Sequence, residues 1–180
     1  MSPAVPPGEH GDPLSIASIT VTHDPDGAIL RRQQMQLASA ASRIVVDNAS
    51  AGAAQPELRE IIDAAGSELL SLPANIGLAA AINIGLRHVR EQHPSVQAIL
   101  LLDQDTEPGT SGLAQLQGAY IALRREFGPE IALNPALVDA DTAVDHGFHA
   151  IQGLRWVRVR RLAGDRPVDC AGLNCSGTLP

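Results

Sequence analysis

The sequence has few aromatic residues and no long apolar run. Phe, Trp and Tyr make up 2% of its 180 residues, so the apolar fraction of 44% consists mainly of Ala, Leu, Ile and Val. No apolar run approaches the roughly 20 residues of a membrane-spanning helix. The N-terminus also lacks the basic and apolar regions of a secretory signal. The composition predicts one folded domain that neither crosses a membrane nor carries a secretory signal.

Cysteine and positive charge are also scarce. The formal net charge of −7 argues against a nucleic-acid partner, because neutralising phosphates requires a basic surface. Cys170 and Cys175 are too few for a disulfide scaffold. They are expected to be reduced thiols, which predicts a cytoplasmic protein.

Strand and helix patterns alternate along most of the chain. Residues 1–13, with four prolines and two glycines, are predicted to be a flexible leader before a domain over 14–180. Strands are predicted at 16–21, 43–46, 68–72 and 96–102, and helices at 28–41, 57–65, 76–91 and 112–127. Further on, the pattern predicts a short strand at 131–133, a loop at 139–153, a strand at 155–161 and an apolar stretch at 168–176. Such alternation predicts a layered α/β fold with a parallel sheet.

The stretch from residue 99 to 108 is the strongest indication of where a ligand site would lie in such a fold. Four consecutive aliphatic residues, 99–102, predict an inner strand buried on both faces. Asp103 and Asp105 follow at the strand's carboxyl end, where ligands of open α/β sheets collect. Two carboxylates there suit a hard divalent cation that also holds phosphate oxygens. The alternative is that these acids merely cap a turn.

Two other predicted strands end in polar residues. Thr22 and His23 follow the first strand, and Asp47 and Asn48 follow the second. If the strands are parallel neighbours, these residues lie at one edge of the sheet together with Asp103. Asp47 could accept a hydrogen bond from a nucleobase or ribose, or it could be a turn residue, and both interpretations stay open.

The segment 75–85 is rich in small residues. Asn75 can cap the following helix, and Gly77 with the alanines permits close backbone approach. A helix N-terminus at this edge would favour an anion. The alternative is close packing of the helix on the sheet.

The histidines and the arginine-rich segment 155–161 give weaker signals. His146 and His149 have a metal-ligand spacing, but a loop is the favoured interpretation. His23, His88 and His93 are interpreted as surface or capping residues. The arginines are interpreted as a solvated strand face rather than a diphosphate or lipid contact.

Four of these segments together resemble a known family. They are ITVTHDP at 19–25, IVVDNAS at 44–50, NIGLAAAINIG at 75–85 and LLLDQDT at 100–106, and segments 134–139 and 174–179 are also similar. In order and spacing they resemble the donor-binding half of inverting family 2 glycosyltransferases of GT-A fold, closest to bacterial rhamnosyltransferases.

The resemblance implies a role for each matching residue. Thr22 and His23 would line a nucleobase pocket, Asp47 would bind the base, and Asp103 would lie near the ribose and diphosphate. Asp105 would ligate Mg²⁺ or Mn²⁺. The implied donor is a nucleotide sugar, such as dTDP-L-rhamnose. The implied acceptor is a polysaccharide or lipid-linked glycan, which would place the protein at the inner face of the membrane.

The chain also departs from the family pattern. His23 stands where the family more often has an aromatic ring. The family continues for about another hundred residues, the size of a small domain. The catalytic general base is therefore expected beyond Pro180, and the chain is expected to bind a donor without turnover. The alternatives are a non-catalytic nucleotide-sugar-binding module and, ranked lower, an aspartate-nucleophile phosphatase.

Overall fold

The computed structural model describes residues 14–136, 138–139, 142–145 and 147–159. In these residues a parallel sheet is flanked by helices, and a separate hairpin follows. The elements in chain order are β1 (Ile16–Thr22), α1 (Gly27–Gln36), β2 (Ser42–Asp47), α2 (Gln55–Ala65), β3 (Glu68–Ser71), α3 (Leu78–Gln92), β4 (Ala98–Asp103), α4 (Gly112–Phe127), β5 (Phe148–Gln152) and β6 (Arg155–Val159).

The main sheet has the strand order β3-β2-β1-β4, and every neighbouring pair is parallel. Strand β1 lies inside the sheet, and all seven of its residues are buried. In register, Thr22 pairs with Asp47 and Val21 pairs with Asp103. The strands therefore end together at one edge, as the sequence predicted.

Helices cover both faces of the sheet. Helix α3 packs on the face that presents Ala17, Ile19 and Val21 of β1. On the other face, α2 packs against Val45 of β2, and α4 packs against alternate residues of β4. The predicted layered α/β fold with a mainly parallel sheet is confirmed.

Local signals account for the ends of several helices. Asp26 caps α1, since its carboxylate accepts from the N–H groups of Ala28 and Ile29. Pro56 lies in the first turn of α2, where its missing N–H costs nothing. Gly66 ends α2 in the left-handed conformation, with φ of 66°. In the described part of the chain, no helix has both the length and the hydropathy needed to span a membrane.

Among the residues that the structure describes, the run 99–102 does not form the inner strand that was predicted. Strand β4 lies at the edge of the described four-stranded sheet, beside β1. Its residues alternate between buried and half-buried, with Ile99 and Leu101 on the less covered face. An aliphatic run shows that a strand is apolar on both faces, but it does not show which strands flank it.

Three further element predictions need correction. Helix α1 ends at Gln36 rather than at residue 41, and residues 131–133 do not form a strand. The predicted loop 139–153 contains β5, which pairs with β6 as an antiparallel hairpin. The missed signal was Gly153, whose φ of 62° suits the two-residue turn between these strands.

Several predictions fall outside the described residues. They are the flexible leader 1–13, the end of the strand at 160–161 and the apolar stretch 168–176. His146 also lies outside them, whereas His149 lies in β5 and contacts the ring of Trp156 edge-on.

Helix α3 packs tightly against the sheet at Gly85. A Cβ atom there would lie 2.8 Å from Cγ2 of Ile19 and 3.2 Å from Cγ2 of Val46. We expect Gly85→Ala to lower the free energy of unfolding by about 1 kcal/mol, because overpacking outweighs the gain in helix propensity. Urea denaturation measures this change.

Gly118 in α4 is the matched control. A Cβ atom there meets nothing within 4 Å, so Gly118→Ala should stabilise the chain by about 0.5–1 kcal/mol. If Gly85→Ala were stabilising to the same extent, the close packing of α3 on the sheet would be contradicted.

Candidate functional site

The candidate site lies at the carboxyl edge of the sheet, which we define by the strand-terminal residues Thr22, Asp47, Ser71 and Asp103 and the loops that follow them. The chain leaves β1 toward β2 and β3 and then returns through α3 to β4 on the other side of β1. Open α/β sheets bind ligands where the strand order reverses in this way. That point is the crevice between the ends of β1 and β4.

A series of hydrogen bonds links the loops of all four strands along this edge. Gln104 after β4 accepts from the backbone N–H of His23 after β1, at 2.7 Å. The His23 ring nitrogen Nδ1 lies 3.1 Å from the carbonyl oxygen of Asn48 after β2. The Asn48 amide donates to Oδ1 of Asn75, which follows β3, at 2.9 Å. The four loops therefore form one connected rim.

The loops after β1 and β2 are also joined directly. Asp24, with a left-handed φ of 48°, donates its backbone N–H to Oγ of Ser50 at 2.9 Å. Its carboxylate accepts from the backbone N–H of Ala51 at 2.7 Å. These two bonds hold the exposed turn after β1 against the loop after β2.

Asp47 is fully buried beneath the rim. Its Oδ1 accepts from the backbone N–H of Ser50 at 3.0 Å and from the Ser50 hydroxyl, while its Oδ2 accepts from the Gln55 amide at 2.5 Å. The structure therefore supports the turn role of Asp47. Any contact between Asp47 and a base remains a prediction.

Thr22 and His23 differ in accessibility although they are consecutive. Thr22 is buried, and its hydroxyl has no hydrogen-bond partner among the described residues. His23 is exposed, and its ring lies beside the carbonyl oxygen of Asn48 in the loop after β2. Only His23 offers a side chain that a ligand could reach without rearrangement.

The N-terminus of α3 begins at this edge. The N-cap residue is Gly77, with φ of 84°, rather than Asn75 as predicted. The side-chain oxygen of Asn75 instead accepts from the backbone N–H of Gly77 at 3.0 Å, and it does not cap the helix. The first turn contains no acidic residue and no capping side chain, so its N–H groups can bind an anion.

Asp103, the last residue of β4, and Asp105 lie in a β-turn over residues 103–106, which we call the β4 turn. The N–H of Thr106 donates to the carbonyl oxygen of Asp103 at 3.2 Å and closes this turn. Asp103 is half-buried at its start, and Asp105 is exposed at its tip. Both carboxylates belong to the side of the crevice that β4 forms.

Side chains of α1 hold the β4 turn and the residues after it. The Gln33 amide, fully buried, donates to the carbonyl oxygens of Asp103 and Thr106, both at 2.8 Å, and accepts from the Thr20 hydroxyl at 2.9 Å. Gln36 accepts from the backbone N–H of Gly109 at 2.9 Å. Sequence reasoning missed this clamp, although glutamines at 33 and 34 occupy positions where an amphipathic helix normally carries apolar residues.

An ion pair adds to the clamp. Arg32 of α1 donates from Nε and from Nη2 to the two carboxylate oxygens of Glu107, both at 2.9 Å. The hydrogen bond from Arg32 lowers the pKa of Glu107, and the same contact raises the pKa of Arg32. Glu107 is therefore paired with Arg32, whereas Asp105 is exposed at the tip of the β4 turn, where a cation could reach it.

The carboxylates of the β4 turn could bind a hard cation only if other groups supplied the remaining ligands. Mg²⁺ and Mn²⁺ prefer oxygen ligands, and Mg²⁺ sites commonly combine one or two carboxylates with substrate phosphates and water. Asp103 and Asp105 match that description. Among the described residues, the group of three metal-ligand side chains lies elsewhere, at Glu68, His88 and His93.

Comparison with protein-family models and with curated protein sequences gave no match. The structure, however, is similar to a mannosyltransferase from Pyrobaculum calidifontis in complex with GDP-Man and Mn²⁺, with 18% identity and a TM-score of 0.52. That match covers 69% of this chain and 35% of the mannosyltransferase. The structure of this chain is also similar to S. aureus TarS 1–349 in complex with UDP, with 15% identity and a TM-score of 0.55. That match covers 74% of this chain and 39% of TarS 1–349.

These likenesses establish a shared fold. The chain has the layered α/β fold of GT-A-like glycosyltransferases, as its resemblance to that group implied. It spans 35% and 39% of the length of the two structures described above.

Proposed function

We propose that the chain binds a nucleotide-sugar donor at the carboxyl edge and serves as the donor-binding part of a glycosyltransferase. The observation that carries this proposal is the connected rim, in which Gln104, His23, Asn48 and Asn75 join the ends of four parallel strands. A rim of this kind preorganises polar groups around the crevice before a ligand arrives, which reduces the cost of ordering them. The shared fold with GDP-Man and UDP complexes supports the same assignment.

The nucleoside end of the donor is assigned to the loops after β1 and β2. His23 offers an exposed ring that can contact a base, and Thr22 offers a buried hydroxyl without a partner in the described residues. Asp47 would accept an N–H of the base in place of the Gln55 amide, which now occupies Oδ2. This exchange replaces one N–H donor by another and leaves the carboxylate satisfied.

The diphosphate is assigned to the α3 N-terminus and the β4 turn. Gly77 and the uncapped first turn of α3 supply N–H groups, and Asp103 with Asp105 supplies cation ligands. Mg²⁺ or Mn²⁺ held there would neutralise charge on the departing nucleoside diphosphate. Because two carboxylates alone are few for such an ion, metal and nucleotide are expected to bind together.

The finer specificity rests on the resemblance to family 2 rhamnosyltransferases. It assigns an inverting transfer, a nucleotide-sugar donor such as dTDP-L-rhamnose, and a polysaccharide or lipid-linked acceptor at the inner face of the membrane. In such a transfer a general base would deprotonate the acceptor hydroxyl. The competing hypothesis, a non-catalytic nucleotide-sugar-binding module, predicts the same affinity and is distinguished by turnover.

Asp105→Asn should weaken nucleotide binding in the presence of Mn²⁺ by about 10–100-fold, because one charge-assisted ligand contributes roughly 1.5–3 kcal/mol. Isothermal titration with UDP-, GDP- and dTDP-sugars, each with and without Mn²⁺, measures this loss. In the wild-type chain, Mn²⁺ should raise nucleotide affinity, and Asp105→Asn should remove most of that increase.

Asp63→Ala, which removes an exposed aspartate of α2, is the control and should leave nucleotide affinity unchanged. Absence of binding for every nucleotide sugar would contradict the proposed function. Hydrolysis of p-nitrophenyl phosphate that is abolished by Asp103→Asn would instead favour the phosphatase hypothesis.

A further inference from the structure

A second group of potential metal ligands lies at the opposite edge of the sheet from the rim. Glu68 is the first residue of β3, His88 lies in α3, and His93 is the residue that ends α3. One oxygen of Glu68 lies 2.7 Å from Nε2 of His88, and the other lies 2.6 Å from Nε2 of His93. We call these three residues the histidine cluster.

The spacing of His88 and His93 along a regular helix would not bring their side chains together; they come together because His93 lies just beyond the end of α3. Residues five apart on an α-helix point about 140° away from each other, given roughly 100° per residue. His93 reaches the cluster because it leaves the helix as its C-cap, with φ of −127° and ψ of 58°. The rings then lie edge to face, with centroids 6.1 Å apart.

The cluster has the chemistry of a transition-metal site. Two imidazoles and one carboxylate form a three-ligand set that suits Zn²⁺, with a fourth position left for water. The three ligand atoms all lie within 4.8 Å of one another. Bonds of about 2.0–2.1 Å to a tetrahedral ion place ligand atoms about 3.3 Å apart. Each atom therefore needs to move by less than about 1 Å.

The cluster is accessible to an ion from solvent. The side chains of His88 and His93 are 23% and 26% exposed, and that of Glu68 is 42% exposed, so an ion can reach all three. His93 also lines a surface groove of about 410 Å³ beside the start of β4.

We propose that Glu68, His88 and His93 bind a divalent transition-metal ion, Zn²⁺ by preference, independently of the nucleotide site. Glu68 lies at the amino end of β3, whereas the rim follows the carboxyl end of the same strand. The ion would tie the first residue of an edge strand to the end of α3. It would thus fasten the helix whose other end forms part of the rim.

Zinc titration of the full chain without nucleotide tests this site. Isothermal titration should show one Zn²⁺ per chain. His88→Gln and His93→Gln should each weaken binding by about 100-fold or more, since losing even a supporting contact of a metal ligand costs 10–100-fold. His149→Gln, the same substitution in the hairpin, should leave binding unchanged. Asp105→Asn should also retain it, which separates this site from the proposed donor site.

Two measurements do not depend on the folding of a variant. In the wild-type chain, Zn²⁺ should shift the ring resonances of His88 and His93 while leaving those of His149 in place. Co²⁺ should give the visible spectrum of a four-coordinate ion without a thiolate charge-transfer band. The proposal is overturned by the absence of stoichiometric binding or by unshifted His88 and His93 resonances. Loss of binding in a Cys170→Ser, Cys175→Ser double variant would equally overturn it, because the ion would then sit on the thiols.

Discussion

Replacing Gln33 by leucine is expected to lower the free energy of unfolding by about 3 kcal/mol. The Gln33 amide is fully buried and donates to two carbonyl oxygens of the β4 turn, so leucine leaves both acceptors and the Thr20 hydroxyl without their partner. Each buried polar group left unpaired costs about 1–3 kcal/mol, which leucine's apolar character offsets only in part. Urea denaturation followed by circular dichroism gives the change.

The same variant should also disturb the proposed donor site. Gln33 fixes the turn that carries Asp103 and Asp105, so nucleotide affinity in Mn²⁺ should fall even where the chain is still folded. Gln115→Leu, on the exposed surface of α4, is the control and should change neither property. A Gln33→Leu variant with wild-type stability and affinity would show that the clamp has no role in ordering the turn.

Asp47→Ala is expected to cost about 3 kcal/mol or more of unfolding free energy. The buried carboxylate accepts hydrogen bonds from the Ser50 backbone, the Ser50 hydroxyl and the Gln55 amide. Alanine leaves both Ser50 donors unpaired beneath the rim and leaves the Gln55 amide only its longer bond, 3.3 Å, to the Ser50 carbonyl oxygen. Thermal and urea unfolding measure the loss, with Asp63→Ala as the exposed control. The loop after β2 should lose its order first, since these bonds hold it.

Asp47→Asn separates the structural role from the proposed contact with a base. Asparagine keeps one oxygen for Ser50, and the Gln55 amide can rotate to present its own oxygen, so most of the stability should return. A base N–H would then meet an amide instead of a carboxylate, and nucleotide affinity should fall below that of the wild-type chain. If Asp47→Asn had both the stability and the nucleotide affinity of the wild-type chain, Asp47 would have only the turn role.

The order of strands and helices follows from local sequence. Apolar periodicity predicted four strands and four helices of the α/β layers, and Pro56 and Gly66 marked the ends of α2. These signals act between residues a few positions apart, where backbone geometry alone decides which side chains share a face. The prediction of a loop over 139–153 was wrong because β5 is stabilised by its pairing with β6 and has no strong apolar periodicity of its own.

Convergence of the polar strand ends was also predictable from sequence. Once the strands are parallel neighbours, Thr22, Asp47 and Asp103 must share an edge, and the register confirms this. The state of each side chain was not predictable. Asp47 is buried and engaged while His23 is exposed, and only the packing of neighbouring loops distinguishes them.

By itself, then, the sequence determined the layered α/β fold, the succession of its elements and the edge at which its polar strand ends meet. Tertiary structure alone decided that β1 and β2, and not β4, lie inside the described sheet, that Gln33 clamps a turn 70 residues away, and that His88 and His93 share Glu68. Periodicity is a property of near neighbours in the chain. Strand order and long-range hydrogen bonds depend on how whole elements pack, and no local pattern encodes them.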